Sequence, residues 1–534
     1  MTAESRSDQA LNDPFTDIYT AYSQVTDTTA NDIDLRKYPL SWKTAKIYIS
    51  ASIGGLLFGY DGGAIAGLLM SIRPRDLALQ ELKDYQRGLI TGTAGLGAFV
   101  GSICAFPLAD RLGRKRTIGL CSVLFTLAAI DMALAQSLPV LVAGRLVLGI
   151  AVGIAAQCIP IYLSEVSPSS ARGTILALNT LAITSGQLFS CVLSWLIYHK
   201  TGAWRVLFGL GGLPAIILLL LLNSLPESPR WLLLKGDPRA ARKSLQVIYP
   251  RASGIEIVNK MVNIVRNMSS VSNNLEETRP LLCSDTSSRS LRNSSFDLDA
   301  FTAETANITD VVRSQDSGSF KMDPRTRRAL IVGCVLMFFQ QATGFNAFVY
   351  YSPFIFSKIG VKDPLLPAVA VASINFFFTI VAMYVVDKSG RRNVLLSTIW
   401  IMTLGLVVST VGFQYKLPAV FLTALLVYVA AYAVGMGAIP WMSVEFLPLN
   451  QRSFGASCIT CTNWLTNAAL SLSFLPLVKG FGNEYTMSLF AVMTALDWCF
   501  VYFWYPEVKG LSLEEIGQVF ENGIDVNYVY RKYH

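Results

Sequence analysis

Charge is scarce in this sequence. Asp, Glu, Lys and Arg make up 15% of its 534 residues, against roughly 25% in an ordinary soluble domain. So few charges cannot coat the several water-facing domains that a soluble chain of this length would form. Histidine is scarcer still, with only His199 and His534. A zinc centre or a histidine-based triad therefore has almost nothing to be built from. The first forty residues are polar and lack a basic start followed by a short apolar core, so no cleaved signal peptide is expected. The nine cysteines are scattered, and Cys458 and Cys461 form a C-x-x-C with no second Cys or His pair. That pattern reads as packing rather than metal or redox chemistry. A soluble enzyme, a disulfide-framed secreted domain and a disordered scaffold are all disfavoured. The net charge of +8 reads as positive flanks on membrane spans, not as a nucleic-acid footprint.

What the chain does have is long apolar runs, in keeping with 52% hydrophobic residues. A helix needs about 20 largely apolar residues to cross a bilayer. Such runs lie near 45–67, 88–109, 117–137, 140–163, 174–198 and 206–225, and again near 329–354, 364–386, 393–415, 417–444, 454–478 and 486–505. Unpaired backbone groups are costly in lipid, so each run reads as a helix, giving an all-α membrane protein of twelve spans. Lys and Arg in the short connections at 110–116, 172, 388–392 and 452 fall on one face. That face is expected to be cytoplasmic and to carry both termini.

The sequence also repeats itself. Asp110–Arg114 (DRLGR) returns as Asp387–Arg391 (DKSGR), and Glu165 with Arg172 returns as Glu445 with Arg452. Two six-helix halves of common plan, 45–225 and 329–505, account for this, as in one large class of secondary transporters. They are flanked by tails at 1–44 and 506–534 and joined by a polar connection at 226–328. The middle of that connection, rich in Ser and Asn, is expected to be disordered. Its acceptor sequences at Asn267, Asn293 and Asn307 should stay unglycosylated on a cytoplasmic loop.

An ionisable group within a span is costly, so each is a functional candidate. Asp61 lies in the outer part of the first span and Arg145 a few residues into the fourth from the same side, so the two can pair. A buried carboxylate facing a cation can load and release a proton as access alternates; a static structural pair is the equally weighted alternative. Asp131 and Asp497 read as water-facing or packing residues. The seventh span carries Gln340, Gln341, Thr343, Asn346, Tyr350 and Tyr351, and other spans add Gln187, Asn375, Asn463 and Asn467. Amides offer donors and acceptors without net charge, which suits a neutral polyhydroxylated ligand better than an ion. The alternative is plain interhelical hydrogen bonding. Gly435-Met-Gly-Ala-Ile-Pro440-Trp441 predicts a broken tenth span with an aromatic beside the break.

Taken together, Phe58-Gly-Tyr-Asp61, Asp110–Arg116, Gly144-Arg145, Glu165 with Arg172-Gly173, and Pro226-Glu-Ser-Pro-Arg-Trp231 form a specific series. The second half adds Gln340-Gln341 through Asn346, Tyr350-Tyr351, Gly390-Arg391-Arg392, Pro440-Trp441, Asn463-Trp464 and Pro506-Glu507. In this order they resemble the sugar porters of the major facilitator superfamily, most closely the fungal myo-inositol/proton symporters, over nearly the full length. Met436, Ala438 and Val508 depart from the wider family's pattern.

The resemblance implies a major facilitator fold and proton-coupled uptake of myo-inositol or a related polyol or hexose; a facilitative uniporter or a non-transporting nutrient sensor on the same scaffold are the alternatives. It implies Asp61 as the proton-coupling carboxylate with Arg145 as its partner, and substrate contacts at Phe58, Gln187, Gln340, Gln341, Asn346, Asn375, Trp441 and Asn467. It further implies a cytoplasmic charge network of Arg111, Glu165, Arg172, Glu227, Arg230, Asp387, Arg391, Glu445 and Arg452. Protons are the coupling ion, and no other cofactor, no metal and no nucleic acid is called for. A monomer in the plasma membrane is expected. The Glu277–Leu282 stretch resembles an acidic dileucine signal for a sorting adaptor and keeps a vacuolar or endosomal membrane as the alternative.

Overall fold

The computed structural model describes residues 41–269 and 322–533, apart from 169–170, 359, 449–450, 510, 512 and 522. The first half holds α1 (Trp42–Ser71), α2 (Asp84–Leu112), α3 (Arg114–Leu134), α4 (Leu138–Val166), α5 (Arg172–Ile197) and α6 (Ala203–Leu221). The second holds α10 (Pro324–Ala342) with α11 (Phe345–Lys358), α12 (Leu366–Ser389), α13 (Arg391–Gln414), α14 (Pro418–Val434) with α15 (Ile439–Met442), α16 (Arg452–Phe481) and α17 (Asn483–Trp504). Between the halves lie α7 (Pro229–Leu234), α8 (Pro238–Ile248) and α9 (Gly254–Ser269), and α18 (Leu513–Gln518) and α19 (Tyr528–Tyr533) close the chain. This is an all-helical membrane fold, with one hydrophobic core in each half.

Among the described residues, eleven helical stretches are long and apolar enough to cross a bilayer, α10–α11 and α14–α15 each counting as one. The remaining expected span is α16, at 30 residues as long as any. It falls short in hydropathy because Thr460, Asn463, Asn467 and Ser471 give it a polar, buried face. The polarity that costs it an apolar signature is what lets it line an interior.

The connection between the halves begins with three short helices ahead of its Ser- and Asn-rich middle. Ser228 caps α7 by accepting from the Trp231 amide at 3.2 Å, and Asp237 caps α8 by accepting from Ala240 at 2.9 Å, each followed by Pro at the first helical position. Those Ser-Pro and Asp-Pro pairs are local start signals visible in the sequence. Ala241, Leu245 and Ile248 bury the inner face of α8, and Thr44 on α1 donates to the Ile248 carbonyl at 3.0 Å. The side chain of Asn267, and residues 270–321 with Asn293, Asn307 and the Glu277–Leu282 motif, lie outside the described residues.

The two halves use one device at the same corner. Gly113 (φ +94°) turns α2 into α3, and Gly390 (φ +87°) turns α12 into α13. Glu227 then accepts from the Arg114 and Lys115 amides at 2.9 and 3.0 Å. Glu507 accepts from those of Arg391 and Arg392 at 3.1 and 2.9 Å. A carboxylate on the free amides of a helix N-terminus is favoured by both hydrogen bonding and the helix dipole. A Cβ on either glycine would stand 2.5 Å from the carboxylate, so no larger residue fits. Gly390→Ala is therefore expected to lower the unfolding free energy by about 1–3 kcal/mol from backbone strain alone. Gly173→Ala, with open space around it, should leave the thermal midpoint in detergent unchanged. Equal midpoints for the two variants would refute this account.

Within the first half, α2 and α4 meet through interlocked glycines. A Cβ on Gly97 or Gly101 would strike the Leu146 or Ile150 carbonyl, and one on Gly149 or Gly153 the Ala94 or Ala98 carbonyl. Small residues at this spacing let membrane helices approach to backbone contact. Across the halves, α2 lies on α16, α5 on α12 and α1 on α11.

Candidate functional site

Two spans of the second half are broken. The tenth breaks at Gly435, where a Cβ would fall 2.0 Å from Thr398 Oγ1, and resumes as α15 at Ile439-Pro440. The seventh breaks at Gly344, whose φ of +87° separates α10 from α11. The first break was expected from Gly and Pro; the second was not. Gln340, Gln341 and Asn346 therefore do not lie on one continuous helix. The Thr343-Gly344 pair was the available signal.

Gln340 braces the tenth-span break. Its Nε2 donates to the Met436 carbonyl at 2.6 Å, and its Oε1 accepts from Asn463 Nδ2 at 2.7 Å. Gln341 is the node of a second cluster, its Oε1 accepting from Asn346 Nδ2 at 2.7 Å and from Asn467 Nδ2 at 3.1 Å. Gln187 on α5 and Asn375 on α12 join the halves directly, Asn375 Nδ2 donating to Gln187 Oε1 at 2.8 Å. Of these seven amides, all but the half-buried Asn346 are buried. Among the described residues the Nε2 groups of Gln187 and Gln341 make no protein hydrogen bond, leaving two amide donors to meet a ligand.

Phe58 sets its ring edge against Trp464 across the halves, centroids 5.3 Å apart. Trp464 Nε1 is a buried donor with no protein partner among the described residues. The sequence motif Asn463-Trp464 contains it, but no pattern in the sequence marks it as a contact residue. Trp441 is half-buried beside the tenth-span break. Amide donors and aromatic faces without charge make a surface suited to hydroxyl groups and C–H faces.

Asp61 and Arg145, predicted to share a depth, form an ion pair between α1 and α4. Arg145 is only 2% exposed. It also donates from Nε to the Ile90 carbonyl at 3.0 Å and lies over the Phe208 ring. A cavity lined by Leu57, Tyr60, Ala64, Met132 and Phe208 opens onto Asp61, with about 10 Å³ of room, space for one water at most. Asp131 is half-buried against Gly144.

Asp497 is not water-facing. It is fully buried in α17, and neither carboxyl oxygen finds a hydrogen-bond partner among the described residues. An unpaired polar group buried in this way costs about 1–3 kcal/mol. Asp497→Val is expected to recover that amount in detergent unfolding; a destabilised variant would show that the carboxyl has a partner in the working protein.

In the charge network around the Gly113 and Gly390 corners, Arg114 takes the place expected of Arg111. Glu165 pairs with Arg114, through Nε at 3.0 Å and the second amine at 3.2 Å, and Arg114 also reaches Asp110 at 3.0 Å. Arg111 is exposed and joins no ion pair among the described residues. The internal repeat pointed to Arg114, since Arg114 corresponds to Arg391, and Arg391 lies 3.9 Å from Glu445. Arg452 lies in electrostatic range of Glu445 and of Arg172 and Arg230 from the other half. Glu227 is engaged as the helix cap described above, and Glu507 is its unpredicted counterpart. The side chain of Asp387 lies outside the described residues.

A model of the family described as sugar (and other) transporter matches residues 47–520. A probable metabolite transport protein of Saccharomyces cerevisiae is 49% identical, covering 98% of this chain and 99% of its own. A myo-inositol transporter 1 of Cryptococcus neoformans is 34% identical, covering 89% of this chain and 81% of its own. Among solved structures, the proton:xylose symporter XylE bound to 6-bromo-6-deoxy-D-glucose superposes with a TM-score of 0.69. It is 26% identical, and the match covers 90% of this chain and all of that one. The inward open form of XylE from E. coli gives 0.70 at the same identity and coverage. Two broken spans around an uncharged amide cluster, on a fold and a sequence of this kind, place the chain in the sugar transporter family of the major facilitator superfamily.

Proposed function

We propose that this transporter couples the entry of one proton to the uptake of a neutral polyhydroxylated solute, myo-inositol or a related polyol or hexose. The carrying observation is the pairing of Gln187 with Asn375 across the halves, together with the Gln341–Asn346–Asn467 cluster, side chains that are polar but carry no formal charge themselves. Each hydroxyl of a polyol wants both a donor and an acceptor, and amides supply both. The buried Asp61–Arg145 pair supports a proton as the coupling ion, because a carboxylate released from its cation in a dry site gains affinity for a proton. Myo-inositol is favoured by the fungal relatives that bear that name.

In this reading the halves 45–225 and 329–505 rock about the amide layer as two bodies. The face with the termini is cytoplasmic, Asp61 loads from the opposite side, and the Arg114–Glu165 and Arg391–Glu445 pairs latch the cytoplasmic side. Arg391–Glu445, partly exposed and 3.9 Å apart, is of the individually weak kind a cycling latch requires, whereas Arg114–Glu165 is buried and fixes the Arg114 side of the network. The plasma membrane is the proposed site of action.

The test is uptake of labelled myo-inositol, other polyols and hexoses into cells lacking their own carriers, with and without a protonophore. Concentrative myo-inositol uptake that the protonophore abolishes is expected. Uptake that only equilibrates, in both conditions, would overturn the coupling.

A further inference from the structure

On the face opposite the termini, one acidic side chain ties the two halves together. Asp363 lies in the connection between α11 and α12 of the second half. Its Oδ2 accepts from Trp195 Nε1 at 2.8 Å and its Oδ1 from the Tyr198 hydroxyl at 3.1 Å. Both donors belong to the end of α5, in the first half. We propose that Asp363 is a gate residue, a clasp whose release from Trp195 and Tyr198 is required for substrate to reach the amide layer from the side opposite the termini.

The position argues for a gate rather than an ordinary surface contact. The same two helices, α5 and α12, meet at Gln187–Asn375 in the amide layer. Trp195 is eight residues further along α5, about 12 Å outward at 1.5 Å per residue. A molecule entering between these helices passes the clasp before it meets Gln187. Rocking the halves apart on this face must separate Asp363 from its donors.

The chemistry suits a contact that opens and closes. Hydrogen bonds to an ionised acceptor are stronger than neutral ones, so two of them hold the closed state. Being half-exposed rather than buried, the three groups can be rehydrated when parted. Asp363 precedes Pro364, which biases its backbone to extended conformations and so lessens the chain freedom lost when the clasp closes. Burial and the neighbouring carboxylate both raise the Tyr198 phenol above its ordinary value, so it remains a donor at neutral pH. The His199 ring lies against Tyr198, centroids 3.7 Å apart and planes tilted by 37°, and limits its rotation. On the same face Arg87 lies over the Phe354 ring, a second contact between halves but without a matched acceptor.

The experiment measures the gap directly. Spin labels at Lys200→Cys and Lys362→Cys, both exposed and one on each side of the clasp, report the distance between halves in the full-length protein without substrate. Asp363→Ala is expected to raise the ratio of long to short distances about tenfold or more, equivalent to ~1.4 kcal/mol. Trp195→Phe, which leaves the carboxylate in place, should give a smaller shift in the same direction. Combining it with Asp363→Ala should add nothing. An unchanged distance distribution in Asp363→Ala would overturn the gate, as would additive effects in the double variant. If Asp363→Ala does not fold, the Trp195→Phe and Tyr198→Phe distributions decide the question by the same criterion. None of these outcomes depends on which solute is carried or on protons.

Discussion

In proteoliposomes with a proton gradient, Asp61→Asn is expected to lose accumulation of the transported solute while retaining exchange. A membrane potential of 100 mV and one pH unit together supply about 3.7 kcal/mol. That supports a roughly 500-fold concentration ratio for a neutral solute. Asn keeps an oxygen that can accept from the Arg145 guanidinium, so the local geometry is largely preserved, but it cannot take up a proton. The ratio should fall to about one in the variant, a change of more than two orders of magnitude. Counterflow of labelled against unlabelled solute should stay within about threefold, a difference below 1 kcal/mol. Continued uphill uptake by Asp61→Asn would remove Asp61 from the coupling step. Loss of counterflow together with accumulation would show a structural pair instead.

The second large effect separates two adjacent glutamines. Gln341→Leu removes the acceptor shared by Asn346 and Asn467 and an amide donor that has no protein partner among the described residues. Each polar group left unpaired costs about 1–3 kcal/mol, so solute affinity should fall about 100-fold when measured by equilibrium binding to purified protein. Gln340→Leu should behave differently. It strips the brace from the Met436 carbonyl and the acceptor from Asn463, so the thermal midpoint falls and affinity declines only as the folded population does. If both variants lost affinity equally with unchanged midpoints, the division into a brace and a binding group would be wrong.

The substrate contacts implied for these residues thus divide by what each side chain already holds. Gln340 spends its amide on the protein, whereas Gln187 and Gln341 each keep an amide donor free of protein partners among the described residues. No sequence pattern separates Gln340 from Gln341. Which of two neighbouring residues meets a broken helix and which meets a cavity is set by rotation about the helix axis at a break.

The sequence by itself determined the membrane class, the helical runs and the two related halves. Hydrophobic length and the scarcity of charge leave a chain in lipid no other backbone solution. It also pointed to the Asp61–Arg145 pair, since two costly charges at one depth have every reason to meet. Only the tertiary structure decided that Arg114, not Arg111, holds Glu165, and that Gly344 splits the seventh span. It alone revealed that Glu227 and Glu507 cap helices from more than a hundred residues away, and that Asp363 reaches Trp195 across the halves. Those are contacts between segments distant in the chain. Composition and periodicity record what each helix does with its own face, while the partner that face finds depends on how the helices pack.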